Sequence, residues 1–271
     1  MNEPQPATYV APPPVGFKFT PRDLDVSRER QRRKLACCDI DASLWGDVAD
    51  PSFFALYTIM AQRWSGRSIN GNVHMSQIYR LDAGLPLDEP LAMTGEVVRI
   101  DPHPRGQVVW ANFAFTDASG ATPLRADRSS LNPGPGDPNA KRRDMPPVDI
   151  AEMAQIHEIA LEPEKVAEFS DEAENLIHSD PETAQRFGFR APIAGGLMAS
   201  HITLGALVKE AGLGPITGLD AEIAFMRPMF WDERLRLFAT PKDAPGQRKL
   251  ALVGDDGKPK NLFFVDRIVF G

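Results

Sequence analysis

The sequence predicts an α+β fold in which a curled antiparallel sheet wraps one apolar helix, and it predicts this unit twice in one chain. A helical pattern followed by β-rich segments occurs on each side of a segment rich in proline and glycine, residues 132–147. The helix expected over residues 196–211 is apolar around most of its circumference, as a helix enclosed by a sheet has to be. With 42% hydrophobic and 25% charged residues, the chain has the composition of a globular protein with a substantial core.

The expected domain organisation follows from the same segment. Residues 132–147 contain five prolines and two glycines among polar residues, which is typical of a linker. We therefore expect an N-terminal domain over residues 1–131 and a C-terminal domain over residues 148–271.

In the N-terminal domain, residues 51–64 place aromatic and aliphatic side chains at helical spacing, so they predict an amphipathic helix. Residues 95–100 and 107–117 are β-rich and are separated by turn-forming residues, as in a hairpin. The expected order is a helix and then a β-meander.

The C-terminal domain repeats that order. Residues 156–161 predict a short strand, and Pro163 is suited to the first turn of a helix. Asp180 followed by Pro181 is a favourable N-cap and first helical position for a short helix that ends near residue 189. After the apolar helix, further strands are expected at residues 218–228, 232–241, 248–254 and 261–270.

Several classes of function are disfavoured. The net charge of -7 and the lack of a basic stripe argue against nucleic-acid binding. No apolar run is long enough to span a membrane and no secretory leader is recognisable at the start, which favours the cytoplasm. The adjacent Cys37 and Cys38 are expected to be core thiols, and no metal-binding, dinucleotide-binding or P-loop motif occurs.

The segment HSDPETAQRFGFRAPIAGGLM, residues 178–198, resembles the signature of the MaoC-like (R)-specific enoyl-CoA hydratases. That signature runs Asp-x-Asn-Pro-x-His, then Asp-Pro, then a short helix ending in Gly-Phe, then Pro-Ile-Ala/Val-His-Gly-Met. The positions that match it are Asn175, His178, Asp180, Pro181, Phe189, Pro192, Ile193, Gly196 and Leu197. The resemblance covers about residues 150–270 and implies a double hot-dog fold, in which a more loosely similar N-terminal half widens the acyl tunnel.

The resemblance also implies the chemistry of the site. In the family, an Asp and a His activate water for addition to the enoyl double bond, and a backbone N–H at the start of the central helix stabilises the thioester oxygen. His178 and Gly196 occupy two of these positions, and His and a helix N-terminus suit the two tasks. Asn175, Gly195 and Ala173 are the expected substrate-binding positions beside them.

The departures from the signature lie at this same site. The catalytic Asp of the family is Ala173 here, and a methyl group can neither take nor give a proton. Asp171, Glu172 and Glu174 lie within two residues of that position, and Glu172, whose side chain is longer than that of Asp, is expected to supply the missing carboxylate.

The sequence therefore predicts an acyl-CoA hydro-lyase that interconverts 2-enoyl-CoA and 3-hydroxyacyl-CoA. An acyl-CoA thioesterase on the same fold and a non-catalytic acyl-CoA-binding protein or subunit are the alternatives. No cofactor is expected apart from the coenzyme A of the substrate, and a homodimer is expected.

Two further histidines are expected to be structural. His201 is expected to pack in the core with one hydrogen bond. His74 is expected to be structural, with a place along the tunnel as the alternative.

Overall fold

A computed structural model describes residues 11–69, 71–141, 143–173, 175–242 and 246–271. The helices of these residues are α1 (Arg28–Cys37), α2 (Ser52–Trp64), α3 (Pro163–Phe169), α4 (Pro181–Arg186) and α5 (Gly196–Ala211). Single 3-10 turns lie at Ala42–Trp45, Ile150–Glu152, Asp171–Ala173 and Leu176–His178.

The strands are β1 (Arg22–Leu24), β2 (Val48–Ala49), β3 (Val73–Leu81), β4 (Leu85–Pro86), β5 (Leu91–His103), β6 (Gly106–Thr116), β7 (Leu124–Pro133), β8 (Ala154–Ala160), β9 (Ile193–Ala194), β10 (Ile216–Phe225), β11 (Met229–Phe230), β12 (Arg234–Ala239), β13 (Arg248–Val253) and β14 (Pro259–Phe270).

One ten-stranded antiparallel sheet runs through the molecule in the order β1-β5-β6-β7-β3-β10-β14-β13-β12-β8. Its first five strands come from the N-terminal half of the chain and its last five from the C-terminal half. The two halves meet where β3 pairs with β10, from Leu81 opposite Leu219 to Ser76 opposite Ala224. The backbone hydrogen bonds across this pair satisfy strand edges that each half would otherwise leave open.

Each half wraps its part of the sheet around one helix, α2 in the N-terminal half and α5 in the C-terminal half. Helix α5 is buried along its length from Leu197 to Val208, because its side chains are apolar on nearly every side. The two helices contact each other, and the core is continuous between the halves. The expected α+β double hot-dog fold is confirmed.

The closeness of the halves requires a glycine in α5. A Cβ atom at Gly205 would lie 2.4 Å from the Cδ1 atom of Ile40, a residue of the N-terminal half. The helix can therefore approach the N-terminal half only because this position has no side chain.

The predicted elements correspond closely to those of the structure, with several differences. Strand β3 was not predicted, and α4 ends at Arg186 instead of near residue 189. Helix α1 was not predicted from the sequence, since its residues are predominantly charged and show little apolar periodicity. Strand β7 extends to Pro133, so the first two residues of the expected linker belong to the sheet. Between Pro133 and Ile150, the described residues form no further helix or strand.

Candidate active site

The loop from α3 to α4 carries most of the predicted site residues, and local capping shapes it. Asn175 is exposed, and its Oδ1 accepts a hydrogen bond from the backbone N–H of Ile177 at 3.3 Å, which begins the 3-10 turn that ends at His178. Asp180 accepts hydrogen bonds from the backbone N–H groups of Glu182 and Thr183 and thereby caps α4. Asn175 and Asp180 therefore hold the backbone on both sides of His178.

The His178 ring is fixed by one hydrogen bond. Its Nδ1 lies 2.7 Å from the carbonyl oxygen of Ile193, in strand β9. A carbonyl oxygen can only accept, so Nδ1 carries the proton and the lone pair of the neutral ring is on Nε2. Burial lowers the pKa of His178, although the hydrogen bond to Ile193 acts in the opposite direction. The ring is therefore neutral at pH 7 and can accept a proton on Nε2.

The strand that holds His178 leads directly into the start of α5. Gly195 is the N-cap residue of this helix and provides no side-chain cap, and Gly196 is its first residue; both are partly exposed. The first N–H groups of a helix have no acceptor within the helix, and the helix dipole makes this end positive. Backbone N–H donors at Gly196 can therefore bind an oxygen atom on which negative charge develops.

Close packing explains why position 196 is a glycine. A Cβ atom there would lie 3.0 Å from the ring of Phe225, at the end of strand β10. A Cβ atom at Gly195 would have only the Ser170 Oγ within 4 Å, at 3.7 Å. The helix start thus lies between the Phe225 ring and the Ser170 hydroxyl.

Ser170 is a residue of this site that the sequence did not point to. It is buried, and its hydroxyl has no hydrogen-bond partner among the residues that the structure describes. A buried hydroxyl without a partner costs free energy, which a bound polar group would offset. In the sequence, Ser170 is distinguished only by lying three residues before Ala173. A serine near a candidate site is too common to indicate a binding role.

Glu172 is engaged by helix α1 of the other half. Its two carboxylate oxygens accept hydrogen bonds from the Arg30 guanidinium at 2.6 to 2.9 Å, and the Lys34 ammonium lies 3.7 Å away. Burial alone would raise the pKa of Glu172, but the hydrogen bonds and positive charge of Arg30, with Lys34, hold it below its usual value. Asp171 is likewise paired with Arg33 and Lys34.

These contacts separate the predicted residues into two groups. His178, Gly195 and Gly196 are brought together through Ile193, whereas Glu172 makes no hydrogen bond to His178 in the part of the chain that the structure describes. Ala173 lies beside Glu172 in the 3-10 turn and is half-buried. Glu174 lies outside the described residues. The catalytic role of Glu172 stays a prediction.

The two cysteines are buried thiols that are protonated at neutral pH. Burial raises the pKa of the Cys37 thiol to about 11 and raises that of Cys38 well above its usual value, so neither is a thiolate at neutral pH.

Among the described residues, no group of three or more His, Cys, Asp or Glu side chains could hold a metal ion. The helices described here include none that is both long and apolar enough to cross a membrane.

The chain is similar to known proteins in part of its sequence and in its fold. Residues 147–251 match the family model described as MaoC like domain. No curated protein matches the sequence. HtdX from Mycobacterium tuberculosis is similar in structure, with a TM-score of 0.73 at 16% identity over 93% of this chain and 99% of that protein.

Two further solved structures are similar over most of this chain. A structure described as a MaoC-like dehydratase has a TM-score of 0.75 at 14% identity, over 95% of this chain and 98% of that one. The peroxisomal multifunctional enzyme type 2 from Drosophila melanogaster has a TM-score of 0.73 at 18% identity, over 93% of this chain and 48% of that enzyme. Residues 147–251 of the C-terminal half therefore match a MaoC-like domain, and the chain as a whole shares its fold with these structures.

Proposed function

We propose that this protein is an acyl-CoA hydro-lyase that interconverts a 2-enoyl-CoA and a 3-hydroxyacyl-CoA. One observation carries the proposal. The neutral imidazole of His178 bonds to the Ile193 carbonyl in strand β9, and this two-residue strand leads directly to Gly195 at the uncapped N-terminus of α5. Dehydration of a β-hydroxy thioester requires a base at the α-carbon and hydrogen-bond donors at the carbonyl oxygen.

In the dehydration direction, Nε2 of His178 takes the α-proton while the N–H of Gly196 stabilises the negative charge on the thioester oxygen. The resulting imidazolium then donates that proton to the departing 3-hydroxyl group, and water leaves. One ring can perform both steps when the proton and the hydroxyl leave from the same face. Hydration is the reverse sequence.

This mechanism is compatible with alanine at position 173. The ion pair with Arg30 lowers the proton affinity of Glu172, so in this proposal its carboxylate orients the loop and His178 transfers both protons. The prediction that Glu172 acts as a base remains the alternative, and its substitution separates the two.

The ligand class follows from the same proposal. Coenzyme A would enter as part of the thioester, with no other cofactor. We also propose a homodimer of double hot-dog chains and a cytoplasmic location; both rest on the sequence expectations.

The experiment is an assay of 2-enoyl-CoA and 3-hydroxyacyl-CoA thioesters of several chain lengths, following enoyl absorbance and free thiol together. The proposal expects an absorbance change without thiol release. Thiol release would instead indicate a thioesterase, and binding without any turnover would indicate the non-catalytic acyl-CoA-binding protein.

A further inference from the structure

An arginine that has no acidic partner among the described residues is buried inside the N-terminal half. Arg128, on strand β7, is 5% exposed, and no carboxylate of the described residues lies within ion-pair distance of it. Its guanidinium donates to the Ser130 hydroxyl and lies 3.5 Å from the Gln62 Oε1, and its Nε has no partner in the described part of the chain. Burial lowers the pKa of Arg128 to about 10, so the group is still charged at neutral pH.

A charge in this position is costly. Buried ionic groups are nearly always paired, because a charge removed from water loses its hydration free energy. The neighbouring Asp127 does not compensate it, because successive residues of a strand face opposite sides and Asp127 instead bonds to Arg80. The neutral oxygens of Ser130 and Gln62, and the Phe113 ring whose centroid lies 6.0 Å from the guanidinium carbon, replace only part of the lost hydration.

A series of side-chain contacts links the strand of Arg128 to the start of α5. The Phe225 ring packs beside Gly196, and the His74 ring lies on Phe225 with 4.5 Å between the ring centroids. His74 is opposite Ser130 in the β3–β7 pair, and the charge of Arg128 helps to lower the pKa of His74. These contacts connect Gly196, through Phe225 and His74, with the strand of the N-terminal half that carries Arg128.

The other polar groups on the side of β7 that carries Arg128 are donors or neutral. Ser130 and Asn132 follow Arg128 on the inner face of β7, and Gln62 faces them from α2. An alkyl chain would leave the charge of Arg128 unpaired, whereas a carboxylate would pair with it in the bidentate geometry that a guanidinium favours.

We propose that Arg128 binds a carboxylate at the far end of the acyl group, so that the ligand class is a dicarboxylic acyl thioester. This inference rests on the proposed function, since it takes the acyl thioester as the ligand of the site. The half of the chain that lacks the catalytic signature then determines which acyl group is accepted.

The test compares matched saturated thioesters that cannot be hydrated. Isothermal titration calorimetry would measure the wild-type affinity for adipyl-CoA against hexanoyl-CoA, which has the same chain length and ends in a methyl group. Pairs of shorter and longer chains cover the unknown depth of the site. The expected result is a preference for the carboxylate of about 10- to 100-fold at one chain length, the range of hydrogen bonds to charged groups. Equal affinity within every pair would overturn the inference.

Substitutions then assign the preference to Arg128. Arg128→Gln should abolish it, and Arg128→Lys should retain part of it. Arg80→Gln, a matched control on the solvent side of the neighbouring strand, should leave the preference unchanged. A preference that survives in folded Arg128→Gln overturns the assignment. Because saturated thioesters report binding alone, an enzyme that hydrates no enoyl-CoA but still shows this preference would refute the proposed function and leave the carboxylate site intact.

Discussion

His178 combines two features that a proton-transferring residue needs: a fixed tautomer and a free Nε2. The Ile193 carbonyl determines the tautomer, and burial lowers the pKa of the ring. We expect His178→Gln to reduce turnover of enoyl thioesters by about 10² to 10⁴ while affinity for the thioester stays largely intact. His157→Gln, the same change on strand β8, is the control and should retain activity. Full activity in His178→Gln would exclude the proposed base.

The protonation state of His178 should appear in the pH profile. The neutral ring is the active form, so kcat/KM should be constant around pH 7 to 8 and should fall as the pH drops through the lowered pKa. The midpoint of this acid limb is expected below 6.5, the usual histidine value. A midpoint above 6.5 would contradict a neutral, desolvated imidazole as the base.

Glu172 provides a test between a base and a structural contact. If its carboxylate only anchors the loop to Arg30, Glu172→Gln should lower the free energy of unfolding by about 1 to 2 kcal/mol and change kcat less than about tenfold. If it is also the base, kcat should fall by orders of magnitude in addition to that loss of stability. Urea unfolding and steady-state kinetics on the same preparation distinguish the two, with Glu164→Gln on the exposed first turn of α3 as the control.

At the scale of elements, the two central helices are linked by a buried pair. The Nδ1–H of His201 in α5 donates to the Asp50 carboxylate at 2.7 Å, and both side chains are almost fully buried. The other carboxylate oxygen of Asp50 accepts the N–H of Ser52 at 2.8 Å, at the start of α2. One carboxylate therefore caps the helix of one half and holds the helix of the other, and the expected core position of His201 is confirmed.

Removing that carboxylate should loosen both helices at once. Asp50→Ala is expected to lower the free energy of unfolding by about 3 kcal/mol, because it leaves buried donors without a partner. The control is Asp41→Ala, which removes a comparable cap from an exposed 3-10 turn and should have a smaller effect. Chemical denaturation measures both, and equal losses would mean that the link between the helices contributes nothing.

At the scale of the whole molecule, histidines buried in the neutral form make stability depend on pH. Burial and the charge of Arg128 lower the pKa of His74 from 6.5 to about 3. The unfolded chain binds this proton at a higher pH than the folded chain, so the contribution of His74 is complete above pH 6.5 and is lost as the pH falls toward 3.

The free energy of unfolding should accordingly fall between pH 6.5 and 5 by about 1.4 kcal/mol per pH unit for each histidine held neutral in this way. Urea unfolding at several pH values measures this slope. His74→Gln should reduce the slope without removing it, because burial also lowers the pKa of His157 and His178. An unchanged slope in His74→Gln would contradict the lowered pKa of His74.

Much of this architecture was determined by local sequence. The apolar circumference of residues 196–211 can be buried only by enclosing them, and the Asp180–Pro181 and Gly195–Gly196 pairs specify where α4 and α5 begin. The family signature then predicted His178 and Gly196 as neighbours in space, because it describes a short, locally capped segment.

Long-range contacts decided the rest. The partner of Glu172 is 142 residues away in the sequence, on a charged helix without apolar periodicity, so no local pattern could have indicated that Arg30 holds this carboxylate. Arg128 is similar: in sequence it is one charged residue of a strand, and only the closure of the sheet around α2 buries it without a carboxylate partner among the described residues. Short-range spacing determines which elements form, whereas the desolvation of a charge depends on which elements pack around it, and that is decided by tertiary structure.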